Sequence, residues 1–276
     1  MRTLYATGIS GTIGKHLPNS VCPISLNLTS SREEFRDIKI ESDSNLLHLA
    51  GIVGPAQVEK DIQYAHKVNV DGVKLLANEF LHQSAGKFFY VSTSHVYAQS
   101  SDLLTESSLI RPINLYAEQK REAEIALESI FAGQLERLSI IRVFSVLDWD
   151  TAPFTLGGAI RNLAVQDPFF VLRNAADVRD FLTPKTIATA LYAISSQSLT
   201  SGVVNLCSGV GNSVGDAAER MLEESGFKLN KSQLAWENSS TPFAVGDNSR
   251  LESLVADLKL TWIPNKITES ELGLKV

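Results

Sequence analysis

Thr7-Gly8-Ile9-Ser10-Gly11-Thr12-Ile13-Gly14 follows directly on the apolar run Arg2–Thr7, and its reading decides the fold. Glycines spaced this way between a strand and a helix meet a steric demand: the chain turns tightly and its backbone approaches a phosphate, where a β-carbon would collide. The free N–H groups at the helix start then face the anion. Gly8, Gly11, Thr12, Ile13 and Gly14 are thus candidate contacts for a dinucleotide. A purely structural glycine turn is the competing reading, and the position straight after the first strand argues against it.

Working outward, short apolar runs alternate with longer segments of helical period, the pattern of a parallel sheet covered on both faces. Strands are expected at Arg2–Thr7, Pro23–Leu28, Leu46–Ala50, Lys87–Ser92 and Leu138–Phe144, with a late one at Val203–Cys207. Val58–His82 and Leu115–Phe131 carry apolar residues three and four apart and predict helices. Pro18 curtails the first helix, and Thr29–Asn45 leaves room only for a stub. Beyond Phe144 the texture changes: a loop at Asp148–Pro153, a helix at Phe154–Val165, strand and turn over Asp167–Phe181, then helices at Asp216–Ser225 and Asn248–Leu258. No repeat or linker separates the two parts, so they read as interleaved.

A net charge of −6 gives no general attraction to phosphate backbones or anionic lipid, which argues against nucleic-acid and membrane partners. Cys22 and Cys207 form no metal-ligand pattern, and no metal site is expected. With strand-like sequence starting after Met1, no signal peptide and no apolar stretch of about 20 residues, the expected location is the cytoplasm.

Tyr116 and Lys120 stand four residues apart, so a helix presents both on one face. With desolvation left aside, an ammonium about 4 Å from a phenol at an effective dielectric of about 20 favours the phenolate by about 4 kcal/mol, or about three pKa units. That would poise Tyr116 for proton transfer at about neutral pH.

The glycine spacing joins His48-Leu49-Ala50-Gly51, Tyr90-Val91-Ser92-Thr93-Ser94-His95-Val96-Tyr97, Tyr116-Ala117-Glu118-Gln119-Lys120, Ile141-Arg142-Val143-Phe144, Val178-Arg179-Asp180-Phe181 and Asn205-Leu206-Cys207-Ser208-Gly209. In this order the set resembles the extended short-chain dehydrogenase/reductase superfamily, the NAD-dependent epimerase/dehydratase family that modifies nucleotide-sugars. The resemblance implies an α/β fold: a doubly wound parallel (Rossmann) sheet over residues 1–145 with a returning segment near 178–207, and a smaller interleaved C-terminal substrate lobe over 146–276. It also implies Thr93 as a third catalytic residue beside Tyr116 and Lys120, cofactor contacts at Leu49, Ala50, Gly51, Tyr116 and Lys120, and substrate contacts at Ser94, His95, Ser145 and Arg179.

Several of these positions keep two readings. His95 is either an acid or base facing the substrate or a hydrogen-bonded structural histidine. Arg179 grips a diphosphate or pairs with Asp177 or Asp180. His48 reads as structural. Ser145 replaces a common Asn, and Glu237–Pro242 lacks the second phosphate-gripping Arg of many relatives.

Cofactor choice turns on the end of the second strand, where an acidic residue would hold the ribose hydroxyls of NAD. Here stand Asn27 and then Thr29-Ser30-Ser31-Arg32, and a neutral amide with Ser31 and Arg32 suits the 2′-phosphate of NADP, with NAD as the alternative. The implied function is NAD(P)-dependent reduction of a 4-keto nucleotide-sugar. A cofactor-retaining nucleotide-sugar epimerase is the nearest alternative, and a non-catalytic dinucleotide sensor the remote one. The partner is a small molecule, and the resemblance allows a homodimer.

Overall fold

The computed structural model of the protein describes residues 2–30, 32–166, 172, 174–227 and 243–256. Its strands in chain order are β1 (Leu4–Thr7), β2 (Cys22–Ile24), β3 (Asn45–His48), β4 (Phe88–Thr93), β5 (Leu138–Val143), β6 (Ser145–Val146), β7 (Val178–Leu182), β8 (Gly202–Leu206), β9 (Gly211–Ser213) and β10 (Phe243–Ala244). Six of them form one sheet in the order β2-β1-β3-β4-β5-β8, every neighbouring pair parallel. This is the doubly wound arrangement that the alternating pattern predicts.

The helices are α1 (Arg32–Arg36), α2 (Pro55–Val58), α3 (Ile62–His66), α4 (Gly72–Gln83), α5 (Leu115–Ile130), α6 (Leu156–Gln166), α7 (Pro184–Ser196), α8 (Val214–Glu224) and α9 (Ser249–Ala256). Successive strand residues face opposite sides, so Phe88 and Tyr90 pack with Leu76 and Phe80 of α4 and Leu127 of α5. Phe89 points the other way, toward Ile187, Leu191 and Ile194 of α7. Each such burial contributes about 1.5–3 kcal/mol, which is why the central strands are apolar on both faces.

Departures from the sequence expectation have local causes. The second strand stops at Ile24 instead of Leu28, because Asn27 turns the chain: its side-chain oxygen accepts from Thr29 N at 3.1 Å and from Thr29 Oγ1 at 2.8 Å. The first helix is a single 3₁₀ turn, Gly14–His16, ended by extended Leu17 before Pro18. The expected continuous helix over Val58–His82 is broken: Asp61 caps α3 by accepting from Tyr64 N at 2.9 Å, and a π-helical segment, Lys67–Asp71, follows. That wider turn buries Val68, Asn69 and Val70 together, and Asn69 donates to Ile52 O and Gln119 Oε1, both at 3.0 Å.

Helix α7 falls where no element is expected from sequence. Thr183 caps it by accepting from Thr186 N at 3.1 Å, Pro184 occupies its first turn, and its apolar side completes the second core face.

A second sheet runs β10-β7-β6, with β9 antiparallel to β7. Leu147, Ile160, Phe181, Val214, Met221 and Leu222 form its own apolar cluster with α6 and α8. The expected last helix corresponds to α9; its stretch past Ala256, the whole of Asp167–Val171 and Glu237–Pro242 lie outside the described residues. Among the described residues no helix is long and apolar enough to cross a membrane.

Candidate active site

At the end of β1 the chain turns through Gly8 at φ +69°, a conformation that side chains disfavour. A β-carbon there would lie 2.6 Å from Ala50 N, so the loop packs backbone to backbone on Leu49 and Ala50. At Gly14 it would meet the Gly8 carbonyl oxygen and stand 2.6 Å from Ile9 Cα. Gly11 differs: it is exposed, donates its N–H to Gly8 O at 3.0 Å, and would meet only that oxygen, at 3.2 Å. Two glycines thus close the loop and the third leaves its outer face bare, a cradle that fits a dinucleotide phosphate.

Thr7 ties this loop to β3. Its hydroxyl accepts from Ala50 N at 3.2 Å and contacts His48 Nδ1 at 2.7 Å. Burial, with the field of Lys120 adding to it, pushes His48 down to about 3, so it is a neutral structural residue.

On the opposite side of the sheet end, Asn114 caps α5 by accepting from Ala117 N at 2.9 Å. The cap fixes the first turn, which carries Tyr116, and Lys120 follows one turn later. Thr93, the last residue of β4, acts on Tyr116 in the sense that favours the phenolate. Thr93 Oγ1 also accepts from His95 N at 3.3 Å. The His95 ring stands edge-on to Tyr116, centroids 6.3 Å apart, with its Nδ1 3.4 Å from Asn114 Nδ2.

Burial decides the electrostatics. It drives Tyr116 up to about 12, against the opposing effect of Thr93. It draws Lys120 down to about 7, although the Glu124 field works the other way. The expectation of a phenol poised at about neutral pH by its lysine is therefore corrected: desolvation dominates, and Tyr116 keeps its proton. Burial, then the field of Arg179, lowers His95 to about 4, leaving it neutral at physiological pH.

That coupling brings Arg179, on β7, to the same region. Its Nη2 pairs with Asp177 Oδ2 at 3.2 Å, whereas Asp180 accepts instead from Ser208 N at 2.7 Å and Gly209 N at 2.9 Å. An arginine has five donors, so this pair leaves others for a ligand. Ser94 is buried in the turn after Thr93, and half-buried Ser145, on β6, pairs in register with Phe181 of β7. Asn27 is exposed, with its oxygen taken by Thr29. Ser31 and the side chain of Arg32 lie outside the described residues.

Sequence reasoning missed a layer behind Lys120. Glu124, one turn further along α5 and 0% exposed, accepts from Arg142 Nε at 3.0 Å and Nη2 at 2.7 Å, from Ser92 Oγ at 2.6 Å and from Arg121 Nη1 at 2.8 Å. The spacing of four from Lys120 was the available signal. Among the described residues no group of His, Cys, Asp and Glu could hold a metal ion.

A parallel doubly wound sheet with a glycine cradle at one strand end and a Thr-Tyr-Lys set at another defines a dinucleotide-binding enzyme class. The chain belongs to the NAD dependent epimerase/dehydratase family, whose model matches residues 24–207. The match starts past the glycine loop, at the end of β2.

Among curated proteins, GDP-6-deoxy-D-talose 4-dehydrogenase of Aggregatibacter actinomycetemcomitans is 24% identical over 198 residues, 69% of this chain and 66% of that one, just under two thirds of its length. GDP-6-deoxy-D-mannose reductase of Pseudomonas aeruginosa is 24% identical over 240 residues, 80% of this chain and 79% of that one. Among solved structures, RMD from Pseudomonas aeruginosa complexed with NADPH superposes with a TM-score of 0.79 at 21% identity, covering 97% of this chain and 95% of the other.

Proposed function

We propose that the protein is an NADP-preferring oxidoreductase that reduces the 4-keto group of a nucleotide-sugar, with Tyr116 as proton donor and Thr93 and Lys120 beside it. The carrying observation is the placement of Tyr116: a phenol buried on α5 one turn before Lys120, raised by that burial to about 12 so that it holds its proton at neutral pH. That is the state reduction needs, because hydride addition to a ketone leaves an alkoxide, a stronger base than a phenolate. A bound nicotinamide dinucleotide supplies the hydride. Gly8, Gly11, Thr12, Ile13, Gly14, Leu49, Ala50 and Gly51 would hold it.

Three further features support the reading. The Asn27 to Arg32 segment carries no carboxylate for a ribose diol. The single 3₁₀ turn after the loop adds little macrodipole, which suits a dinucleotide that leaves after each turnover better than one retained for epimerisation. His95, neutral at physiological pH and beside Asn114, suits a sugar-positioning role with Ser94, Ser145 and Arg179. The names of both curated relatives contain a GDP-linked 6-deoxyhexose, so we take a GDP-4-keto-6-deoxyhexose as the first substrate to try. In this reading residues 1–145 and the return near 178–207 bind the cofactor and the remainder binds the sugar; α7 and β8 on the first sheet favour that division. Cys22 and Cys207 are free thiols, which suits the cytoplasm.

The test is to supply GDP-4-keto-6-deoxymannose with NADPH or NADH and follow cofactor oxidation and the sugar product. Stoichiometric oxidation, faster with NADPH, is expected, with Tyr116→Phe slower by about 10²–10⁴-fold and still folded. Interconversion of nucleotide-sugars with no net cofactor consumption would establish the epimerase instead.

A further inference from the structure

The aromatic ring of Tyr90 lies under the ammonium group of Lys120, with Nζ 4.2 Å from the ring centroid. Tyr90 is on β4, three residues before Thr93, and is fully buried. Its hydroxyl has no hydrogen-bond partner among the described residues. The polar end of this side chain therefore does nothing for the local network, and the contact Tyr90 offers is its π face.

Lys120 needs such a contact. It is 8% exposed, and no carboxylate of the described residues lies within ion-pairing distance of it. The carboxylate whose field reaches Lys120, Glu124, has both oxygens committed to Ser92, Arg121 and Arg142. Glu124 therefore acts on Lys120 through its field, while the direct contact is the ring. An ammonium over a desolvated aromatic face is held electrostatically by the ring quadrupole. The ring itself is clamped: His48 stacks beside it with centroids 6.0 Å apart and planes 12° apart.

We infer that Tyr90 is a positioning residue for the Lys120 side chain, seating its ammonium by a cation–π contact so that it stays charged and directed at the Tyr116 site. The inference rests on the reading of Lys120 as part of the active site, but its direct test does not.

The other groups facing Lys120 are known. His48 on β3 is held neutral by burial and by the field of Lys120, and so puts no charge against it; Tyr116 on α5 is protonated; Arg142 on β5 stands behind Glu124 and is neutralised by it. Beyond the Glu124 field, the ring is what favours the charged form against the burial that draws Lys120 down to about 7.

The experiment is to titrate Lys120 by NMR of ¹³C-labelled lysine side chains in the free protein, assigned with Lys120→Met. Four forms are compared: wild type, Tyr90→Phe, Tyr90→Leu, and the protein with fluorinated phenylalanine at position 90, which keeps ring size while emptying the π face. Tyr90→Phe is expected to titrate close to wild type and to melt no lower, since it loses only an unpartnered hydroxyl. The fluorinated ring is expected to lower the Lys120 pKa by about one unit, more with each fluorine, and the alkaline limb of the kcat profile to move down with it. Tyr90→Leu, if it folds, should match the most fluorinated form.

A Lys120 titration that ignores fluorination overturns the inference, whatever the activity. If instead the titration moves as expected and Lys120→Met leaves turnover intact, the cation–π seat stands and the catalytic reading of Lys120 fails.

Discussion

Arg142 and Glu124 form a bidentate pair beneath the active site, Nε to Oε1 at 3.0 Å and Nη2 to Oε2 at 2.7 Å, with neither side chain more than 3% exposed. The pair fastens α5, which carries Tyr116 and Lys120, to β5, and Ser92 extends the tie to β4 beside Thr93. Removing one partner leaves a buried charge alone, so Glu124→Gln should destabilise the protein by about 3–5 kcal/mol in urea unfolding. Burial alone would raise the Glu124 pKa; the Arg142 hydrogen bonds and charge, then Ser92 and Arg121, outweigh it and leave the value below the ordinary one. A depressed folded-state pKa adds stability above the unfolded carboxylate value and loses it as pH falls through the folded value. Wild type should therefore lose part of its margin over Glu124→Gln on acidification. A gap below about 1 kcal/mol at neutral pH would contradict this account.

The glycine loop makes a paired prediction. Gly14→Ala drives a β-carbon into the backbone of Gly8 and Ile9, which has no side chain to move aside, so the melting temperature should fall with dinucleotide affinity. Gly11→Ala meets only the Gly8 oxygen at 3.2 Å and otherwise fills the open face of the cradle. It should keep its melting temperature to within a few degrees while binding NADPH at least about tenfold more weakly in calorimetry. Equal affinity in wild type and Gly11→Ala would place the phosphate elsewhere.

His95 separates two chemistries. Held neutral by burial and bonded to Asn114, it is suited to orient a sugar and unsuited to donate a proton at physiological pH. His95→Asn should raise KM by about tenfold with a smaller change in kcat. Turnover in heavy water should put no deuterium on carbon. Deuterium beside the ketone, abolished by His95→Asn, would give His95 an acid–base role instead.

The fold was legible from one loop and the alternation around it because both are fixed by local sterics: Gly8 and Gly14 have no room for a β-carbon, and β4 and β5 are apolar because both their faces are covered. Tyr116 and Lys120 were legible because helical spacing alone puts them on one face. What escaped depends on contacts between elements distant in the chain. Helix α7 packs through Ile187, Leu191 and Ile194, a spacing as plain as the others once Thr183-Pro184 is read as its start. The π segment around Asn69 answers to Ile52 and Gln119, which sequence order does not bring near. The charge state of Tyr116 was misjudged because Coulomb attraction is read from spacing, whereas desolvation requires knowing what surrounds the ring.

The central claim is that hydride passes to a sugar carbon while Tyr116 gives the proton. It is tested most directly with NADPH deuterated on the transferable side of nicotinamide C4, supplied with GDP-4-keto-6-deoxymannose and followed by NMR and mass spectrometry of the sugar product. The account predicts one deuterium per turnover at sugar C4, none elsewhere, and transfer slowed by about 10²–10⁴-fold in Tyr116→Phe. A product without deuterium, or undiminished transfer in Tyr116→Phe, would contradict it.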